Sequence, residues 1–423
     1  MTSIRDPLWN NIRVDDIALR LIDTGPFQRL RYVRQLGLAY LVYPGATHTR
    51  FEHALGTYHL ARRTLTLLEE RGELACVDAD EIPIIKTAAL LHDIGHYPFS
   101  HALEEIGALD HEAVARDLVC KGDIAEVLDE ALGTGAPGRI HALIRGQSAS
   151  SLQGLISGSL DLDKIEYLKR DALMCGVPYG EIDVDRLLHS ITIVEDPTRG
   201  RLAVGVAEKG LAALESLLFA KYQMYRNVYW HHAVRSATAM YKRIVDDALR
   251  ANALVETELA SFTDEGLVHR LETLDTSAPL LLALRGRRLH KRAADVPTVE
   301  LPPESEWVAV NPALVYAAET ALARDLGIAP GDLLIDFPAK PQMLGLDIPV
   351  VRRGGRVERL TTEGIAGAVS LPTLSDELYR SARRLRVFAA EPSRVPGDAV
   401  LQVVRLDGNE VAARLREGRS LLQ

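Results

Sequence analysis

Helical periodicity over more than half of the chain is the feature that most restricts its fold. From about residue 15 to residue 255, apolar residues recur every three or four positions and alternating β-branched residues are rare. One segment runs from Thr49 to a terminating Gly72. A second segment, IPIIKTAALLHDIGH, follows the acidic VDADE and is predicted to break at Gly95 and Pro98. The pattern predicts an α-helical core.

The last third of the chain has a different pattern. Prolines become frequent from about residue 296, and the runs LLIDFP, IPVVRRGGRVERL and AVLQVVRL resemble strands. The glycine pair at 354 and 355 predicts a hairpin turn between two alternating runs. We therefore expect a mostly α protein with a helical core in residues 1–300 and a smaller mixed α/β region in residues 301–423, the latter for oligomerisation or regulation.

Composition excludes several classes of protein. The 423 residues are 47% hydrophobic and 25% charged, a globular mixture, and the net charge of -9 argues against a protein that coats nucleic acid, although a local basic patch could still contact it. The three cysteines lack CxxC spacing, which favours a reducing compartment over a disulfide framework. Neither a signal peptide nor a long apolar run is evident, so we predict a cytoplasmic protein without a membrane span.

Two polar residues, His92 and Asp93, follow the apolar part of the second helical segment. Their burial would be costly without compensation, and a metal ion would supply it. His53 lies on the preceding predicted helix and Asp163 on a later one. Two imidazoles and two carboxylates form a mixed nitrogen and oxygen set that suits Mn, Fe, Mg or Zn, with positions open for water and phosphate oxygens.

The segment DLDKIEYLKRD places a stripe of functional groups on one helix face. Asp163, Tyr167 and Asp171 are spaced by four residues, and Lys164 precedes Tyr167 by three. A ligand, a cation, a phenol and a carboxylate in this order match a nucleotide from phosphate to sugar. The alternative is an ordinary amphipathic helix with ion pairs on its surface.

Aromatic residues are concentrated in KYQMYRNVYWHH, although the whole chain is only 5% aromatic. Lys221, Tyr225 and Tyr229 share one helix face, which would suit a triphosphate and a base. A purely structural role explains Tyr222 and Trp230 better.

The order of these residues resembles a known family. His53, the pair His92-Asp93 inside LLHDIGHYPFSH, and Asp163 resemble the HD superfamily of metal-dependent phosphohydrolases. The blocks RLRYVRQLGLAYLVYPGATHTRFEHALG, HDIGHYPFSHALE, LDKIEYLKRD and KYQMYRNVYWHH are similar to its deoxynucleoside triphosphate (dNTP) triphosphohydrolase branch. The resemblance implies an HD-domain helical core, a divalent metal, a dNTP substrate and a homo-oligomer, either dimer or tetramer.

The resemblance also implies catalytic roles. His111 would be the general acid that protonates the departing 5′-oxygen, and Glu104, where the family pattern usually has Asp, would hold it. His96 and His101 would contact the α-phosphate and hold the water. Histidine suits proton transfer because its ordinary pKa lies near neutral pH.

The implied substrate contacts run from phosphate to sugar. Arg50, Lys164, Tyr167 and Lys221 would contact phosphates, with Lys221 standing where relatives commonly have Arg. Asp171 would accept the 3′-hydroxyl and Tyr229 would lie against sugar and base. The pair Gln35 and Leu36 would crowd the 2′ position and favour deoxyribose.

A further part of the resemblance concerns regulation. Asp23, Gln28 and Arg31 match residues that recognise a guanine nucleotide effector at a subunit interface in regulated members and promote tetramer assembly. The N-terminal lysine that completes that site has no evident counterpart, since Thr2-Ser3-Ile4-Arg5 precedes DP. The alternative is that FQRLRY only packs and forms salt bridges.

The sequence therefore predicts a metal-dependent enzyme that converts a dNTP and water to a deoxynucleoside and tripolyphosphate. Two alternatives stay open: an HD phosphodiesterase acting on other nucleotides, and a non-catalytic metal-binding protein that senses nucleotides. Two basic runs, RGRRLHKR and RSARRLRVF, are predicted to be solvated or to bind an effector or single-stranded nucleic acid.

Overall fold

The protein is mostly α-helical in the computed structural model, which describes residues 2–274, 278–339, 347–361 and 370–422. This confirms the predicted fold class. Within those ranges the α-helices are α1 Asp16–Ile22, α2 Gly25–Arg29, α3 Arg50–Glu70, α4 Glu81–Leu91, α5 His111–Cys120, α6 Gly122–Leu132, α7 Ala136–Ile144, α8 Leu162–Cys175, α9 Val184–Ser190, α10 Leu211–Met224, α11 His232–Arg250, α12 Asp264–Glu272, α13 Ala278–Arg285, α14 Trp307–Val310, α15 Pro312–Leu326, α16 Leu371–Ala382, α17 Gly397–Arg405 and α18 Gly408–Arg416.

The strands form small sheets beside the helices. They are β1 Thr2–Asp6, β2 Asn10–Val14, β3 Ile191–Asp196, β4 Arg201–Ala207, β5 Lys291–Pro297, β6 Leu333–Asp336, β7 Ile348–Val351, β8 Val357–Leu360 and β9 Arg384–Ala389. Strands β1 and β2 make a hairpin, a second sheet has the order β3-β4-β7-β8, and a third has the order β5-β9-β6. In the described parts of the chain, no helix is both long and apolar enough to cross a membrane.

Helix α3 runs through the core and packs against α4 and α8. The predicted start near Thr49 and stop at Gly72 are confirmed: Thr49 and Glu52 form a capping box, and Gly72 adopts a left-handed φ of 71° just beyond the end of the helix. At Gly56 the close approach of α8 requires a glycine, because a Cβ atom would lie 2.0 Å from Glu166 Oε1. The two helices that carry His53 and Asp163 therefore lie side by side.

Helix α4 ends at Leu91, earlier than the predicted break at Gly95 and Pro98. His92 is its C-terminal cap residue. The chain then turns and passes close to α5 at Gly95. A glycine is required there, because a Cβ atom would lie 2.1 Å from His111 O. The pair His92-Asp93 is thus held where the helix stops.

The prediction of a mostly helical segment from 15 to 255 did not include the antiparallel hairpin β3–β4. Short strands in a long helical region give a weak sequence signal, and this hairpin gains its further partner from far along the chain, since Val206 of β4 pairs in parallel with Val350 of β7. The predicted glycine hairpin is confirmed: β7 pairs with β8, and Gly354 and Gly355 have φ of 94° and 85°. The division near residue 300 stays a prediction.

Two further predictions of secondary structure are wrong in part. The run AVLQVVRL was expected to be a strand, but it lies in α17, which buries Val400, Leu401, Val403 and Val404 at helical spacing. The long helix expected from residue 210 to 255 is two helices, α10 and α11, separated by a π-helical turn over Tyr225–Tyr229 and a bend at Trp230. The π-helical turn lies in the wall of the cleft described below.

Candidate active site

The four predicted metal ligands meet at one point between α3, α4 and α8. His53 Nε2 lies 3.2 Å from His92 Nε2 and 2.9 Å from Asp163 Oδ1. Asp93 completes the cluster, with Oδ2 3.4 Å from His53 Nε2 and Oδ1 3.4 Å from His92 Nε2. His53, His92 and Asp93 are buried, and each offers a ligand atom within 4.8 Å of the others.

The outer nitrogens of both histidines are already engaged. His53 Nδ1 lies 2.6 Å from Glu166 Oε2, and His92 Nδ1 lies 3.0 Å from the carbonyl oxygen of Ala89. These contacts fix the ring orientations and turn both Nε2 atoms toward the same space, which is the usual arrangement of histidines that bind a metal ion. The donor set therefore fits a divalent cation.

The electrostatics of the cluster favour a cation. Burial lowers the pKa of His53, but Asp163 and Glu166 outweigh this effect and raise it to about 10. Burial opposes the charge on Asp163, yet hydrogen bonds with His53 and His92 hold its pKa well below the usual value. The carboxylates thus stay charged, and a positive charge between the rings is stabilised.

Arg50 joins this cluster to the neighbouring turn. Its Nη1 donates to Asp93 Oδ2 at 2.6 Å, and its Nε donates to Ser100 Oγ at 3.1 Å. Burial opposes the charge on Asp93, but Arg50 and nearby histidines keep the pKa of Asp93 well below its usual value. Ser100 and the preceding Phe99 have left-handed φ of 63° and 57°, so the backbone beside the site is strained.

The strained turn is held by a residue that the sequence reasoning missed. Asp264, at the start of α12, accepts from Phe99 N at 2.8 Å and from Arg34 N at 3.0 Å. Gly37 lies against the same turn, where a Cβ atom would come within 2.7 Å of Phe99 O. Asp264 is 230 residues from Arg34 in sequence, so no local pattern could have indicated the contact.

A second group of side chains contains the predicted catalytic residues. Glu104 lies between two histidines: its Oε1 is 2.8 Å from His111 Nδ1, and its Oε2 is 3.2 Å from His101 Nδ1. Burial raises the pKa of Glu104, but the hydrogen bonds from the two histidines outweigh it and lower that pKa far below its usual value. The carboxylate is therefore ionised and contacts His111, and the catalytic role of the pair stays a prediction.

His96 stacks on His111, with ring centroids 3.8 Å apart and planes inclined by 14°. Its Nε2 lies 3.1 Å from Asp93 Oδ1, but within the described residues neither ring nitrogen has hydrogen-bond geometry. Burial, Arg50 and His111 lower the pKa of His96 well below the usual value, so its ring is neutral. His96, His101, Glu104 and His111 also form a second group whose donor atoms lie within 4.8 Å of one another.

The predicted sugar end is built around Asp171. Its Oδ1 lies 2.7 Å from His48 Nε2, and its Oδ2 accepts from the Tyr229 hydroxyl at 2.7 Å. Both oxygens thus have protein partners, but a carboxylate oxygen can accept more than one hydrogen bond. His48, buried at 2% exposure, was given no role from the sequence.

The two predicted phosphate lysines are held differently. Lys164 Nζ donates to the carbonyl oxygen of Gly158 at 2.9 Å and contacts the Asp161 carboxylate closely. Burial lowers the pKa of Lys164, but Asp161 and Asp163 raise it overall, so the ammonium stays charged. Lys221 is almost fully buried on α10 and lies 5.9 Å from the centre of the Tyr225 ring.

One cleft of about 670 Å³ brings these groups together. It is lined by nearly every predicted catalytic, metal and substrate residue: Gln35, Leu36, Arg50, His92, Asp93, His96, His101, Glu104, His111, Asp163, Lys164, Tyr167, Asp171, Lys221 and Tyr229. His53 is fully buried beneath this wall. Its volume is in the range of small-molecule sites in proteins.

The predicted effector residues lie outside the cleft. Gln28 Nε2 donates to Ile22 O at 2.7 Å, and Arg31 Nε donates to Gln28 Oε1 at 2.9 Å. The Arg31 guanidinium also lies 3.5 Å from the centre of the Phe51 ring, while Asp23 is exposed. Gln28 and Arg31 are thus engaged by other residues of the chain, and the effector role of all three stays a prediction.

The comparisons with known proteins agree with this site. The HD domain family model matches residues 50–136, and the HD associated region matches residues 182–408. An uncharacterised protein of Methanocaldococcus jannaschii is 35% identical over 85% of this chain and 74% of its own length. A deoxynucleoside triphosphate triphosphohydrolase homologue of Dictyostelium discoideum is 28% identical over 68% of this chain and 59% of its own length.

A solved structure extends the likeness to the whole fold. A hypothetical protein from Aquifex aeolicus superposes with a TM-score of 0.71 at 27% identity, covering 100% of both chains. The helical fold and the His/Asp cluster define a metal-dependent hydrolase. The chain belongs to the HD-domain family.

Proposed function

We propose that the protein is a metal-dependent dNTP triphosphohydrolase, which converts a dNTP and water to a deoxynucleoside and tripolyphosphate. One observation carries the proposal: a single cleft holds the His/Asp cluster, the His111–Glu104 pair and two lysines. Metal, acid and cations are the three requirements for hydrolysis at the α-phosphorus of a nucleotide.

His53, His92, Asp93 and Asp163 would hold the divalent cation, for which we propose Mn, Fe, Mg or Zn. When bound, this ion would act as a Lewis acid toward phosphate oxygen and lower the pKa of water. Glu166 fixes the His53 ring, because its carboxylate accepts a hydrogen bond from His53 Nδ1 at 2.6 Å.

His111 would donate a proton to the departing 5′-oxygen, and the ionised Glu104 would hold its ring. The 2.8 Å contact between them fixes the ring. His96 is neutral and His101 shares the same carboxylate. Both would contact the α-phosphate and hold the water.

Recognition would follow the axis of the cleft. Arg50, Lys164, Tyr167 and Lys221 would contact the phosphates, and cations are needed there because a triphosphate enters as a concentrated negative charge. Asp171 would accept the 3′-hydroxyl, and Tyr229 would lie against sugar and base. Gln35 and Leu36 would exclude a 2′-hydroxyl.

The assembly and its regulation are also proposals. We expect a homo-oligomer in the cytoplasm, dimer or tetramer, with residues 301–423 contributing to assembly or regulation. A guanine nucleotide at Asp23, Gln28 and Arg31 would act as an effector. The chain spans 59% of the Dictyostelium relative, so that relative's activity does not transfer as a whole.

The test is a product analysis. Pure protein is incubated with Mn or Mg and with dNTPs and NTPs, singly and mixed, and products are separated by chromatography. We expect deoxynucleoside and tripolyphosphate from dNTPs and little from NTPs. Nucleoside monophosphate products would favour a phosphodiesterase, and nucleotide-dependent melting shifts without turnover would favour a sensor. Activity only in mixtures would support the effector site.

A further inference from the structure

A second cavity lies behind the two lysines of the cleft. It has a volume of about 540 Å³ and is lined by the segment from residue 146 to residue 160 and by parts of β4, β7 and β8. It shares four lining residues with the cleft: Ser157, Gly158, Lys164 and Lys221. The two spaces therefore meet at the lysines proposed to bind phosphate.

Hydroxyl groups are unusually dense in its wall. The lining includes Ser148, Ser150, Ser151, Ser157 and Ser159. The hydroxyl oxygens of Ser148 and Ser150 accept from backbone N–H groups at 3.1 Å and 3.2 Å. A hydroxyl that accepts in this way still has its own hydrogen to donate, and anionic oxygen is the strongest acceptor for it.

The charges of the described lining are mainly positive. Five basic side chains face two carboxylates, namely Lys164, Lys221, Arg199, Arg201 and Arg359 against Asp196 and Asp347. Arg359 contacts both carboxylates closely, and Arg199 lies 3.8 Å and 3.7 Å from them. Arg201 is exposed and has no ion-pair partner in the described parts of the chain. The wall therefore carries more positive than negative side chains, together with hydroxyl donors.

We propose that this second cavity binds condensed phosphate that extends past Lys164 and Lys221. Its ligand is the tripolyphosphate product as it leaves, or the terminal phosphates of a deoxynucleotide with more than three. The inference deepens the proposed function. It rests on that function for the source of the phosphate chain and for the direction in which the chain enters. Shared lysines, hydroxyl donors and the exposed Arg201 match this ligand, because charge-assisted hydrogen bonds to phosphate oxygens are the strong ones.

Binding of inorganic tripolyphosphate by calorimetry tests the site without turnover. Arg201→Glu should weaken binding on the order of tenfold at low salt, and the loss should shrink as salt rises. Arg201→Gln should weaken it less. The matched control is Arg116→Glu, which makes the same charge change at an exposed position of α5 that lines neither cavity. Unchanged melting temperature verifies the fold of each variant.

Kinetic arms distinguish the two sources of phosphate. If the cavity binds the departing product, tripolyphosphate should inhibit Arg201→Glu more weakly than wild type. If it binds the end of a longer substrate, Arg201→Glu should raise the KM for a deoxynucleoside tetraphosphate and change the KM for the triphosphate little. Equal binding and kinetics in Arg201→Glu and Arg116→Glu would overturn the inference. If no nucleotide is hydrolysed but Arg201→Glu still weakens tripolyphosphate binding, the cavity stands and the proposed function falls.

Discussion

His53 has a carboxylate at each ring nitrogen, Asp163 at Nε2 and Glu166 at Nδ1. Only the first was predicted from the sequence. Glu166 follows Asp163 by three residues on α8, so the i, i+3 spacing was visible, but no sequence pattern distinguishes a carboxylate behind a ligand from one in a surface ion pair. The structure shows that Glu166 is not part of a surface ion pair. It is 0% exposed and has Arg170 and Trp9 as further partners.

Glu166→Gln tests this contact at the scale of one residue. The neutral amide keeps the shape of the side chain but removes the charge behind His53, so metal affinity should fall by roughly 10-fold to 100-fold. Competition with a chelator measures it. Glu70→Gln, at the exposed end of α3, is the control and should leave affinity unchanged. Equal metal affinity in both variants would show that Glu166 does not support metal binding.

Glu104→Ala tests whether Glu104 acts by orienting His111 and not by binding the substrate. Without the 2.8 Å contact, the His111 ring loses its fixed position, and we expect kcat to fall on the order of 10²-fold while KM changes little. Glu104→Asp should retain more activity than the alanine variant. Glu126→Ala, exposed on α6, serves as the control. A Glu104→Ala enzyme with normal kcat would show that this carboxylate does not act through His111.

At the scale of elements, the packing of α3 on α8 decides whether the ligands meet. In Gly56→Ala the new Cβ atom would lie 2.0 Å from Glu166 Oε1, so the helices must separate or the carboxylate must move. We expect a loss of about 1–3 kcal/mol in the free energy of unfolding, together with weaker metal binding. Urea denaturation measures the first quantity and chelator competition the second.

Gly138→Ala is the matched control for that prediction. Gly138 lies in helix α7, and a Cβ atom there would meet nothing within 4 Å. The substitution should stabilise the protein by roughly 0.5–1 kcal/mol through helix propensity. If Gly56→Ala behaved like Gly138→Ala, close approach of α3 and α8 would not be required.

How far the sequence predicts these elements depends on how local their causes are. The limits of α3 follow from a capping box and a left-handed glycine, and both were legible. The glycine hairpin was legible for the same reason. The π-helical turn over Tyr225–Tyr229 and the β4–β7 pairing depend on partners far away in the chain, and no local pattern carries them.

The candidate site follows the same rule. The metal ligands and the lysines could be selected from their spacing, whereas the Glu104–His111 pair came only from the resemblance to the family. The groups that hold them could not be selected, because His48, Glu166 and Asp264 reach their partners only through the tertiary fold. Their roles in the reaction stay predictions for the experiments above.

At the scale of the whole molecule, Glu319 connects distant parts of the chain. It lies on α15, accepts from Ile335 N in β6 at 2.7 Å, and contacts Arg243 Nη1 of α11 at 3.1 Å. Burial raises the pKa of Glu319 to about 7, although Arg243 opposes the shift. The folded protein therefore retains this proton at pH values where the unfolded chain has lost it.

The sign of the resulting pH dependence follows from this difference. The contribution of Glu319 to stability is fully present below its unfolded pKa and is lost as pH rises toward 7. We expect the free energy of unfolding of wild type, relative to Glu319→Gln, to fall by about 3 kcal/mol at most over this range, and then to stay constant. Urea denaturation at pH 4.5 to 8 measures it, and a relative stability that rises with pH would contradict the assignment.

Cleavage of the bond between the α-phosphorus and the 5′-oxygen of a dNTP in this cleft can be tested by isotope labelling. The protein is incubated with a dNTP and divalent metal in ¹⁸O-water, and the products are analysed by mass spectrometry and ³¹P NMR. We predict intact tripolyphosphate that carries one ¹⁸O on a terminal phosphorus, together with unlabelled deoxynucleoside. Label in the deoxynucleoside, or pyrophosphate with a deoxynucleoside monophosphate, would contradict the account.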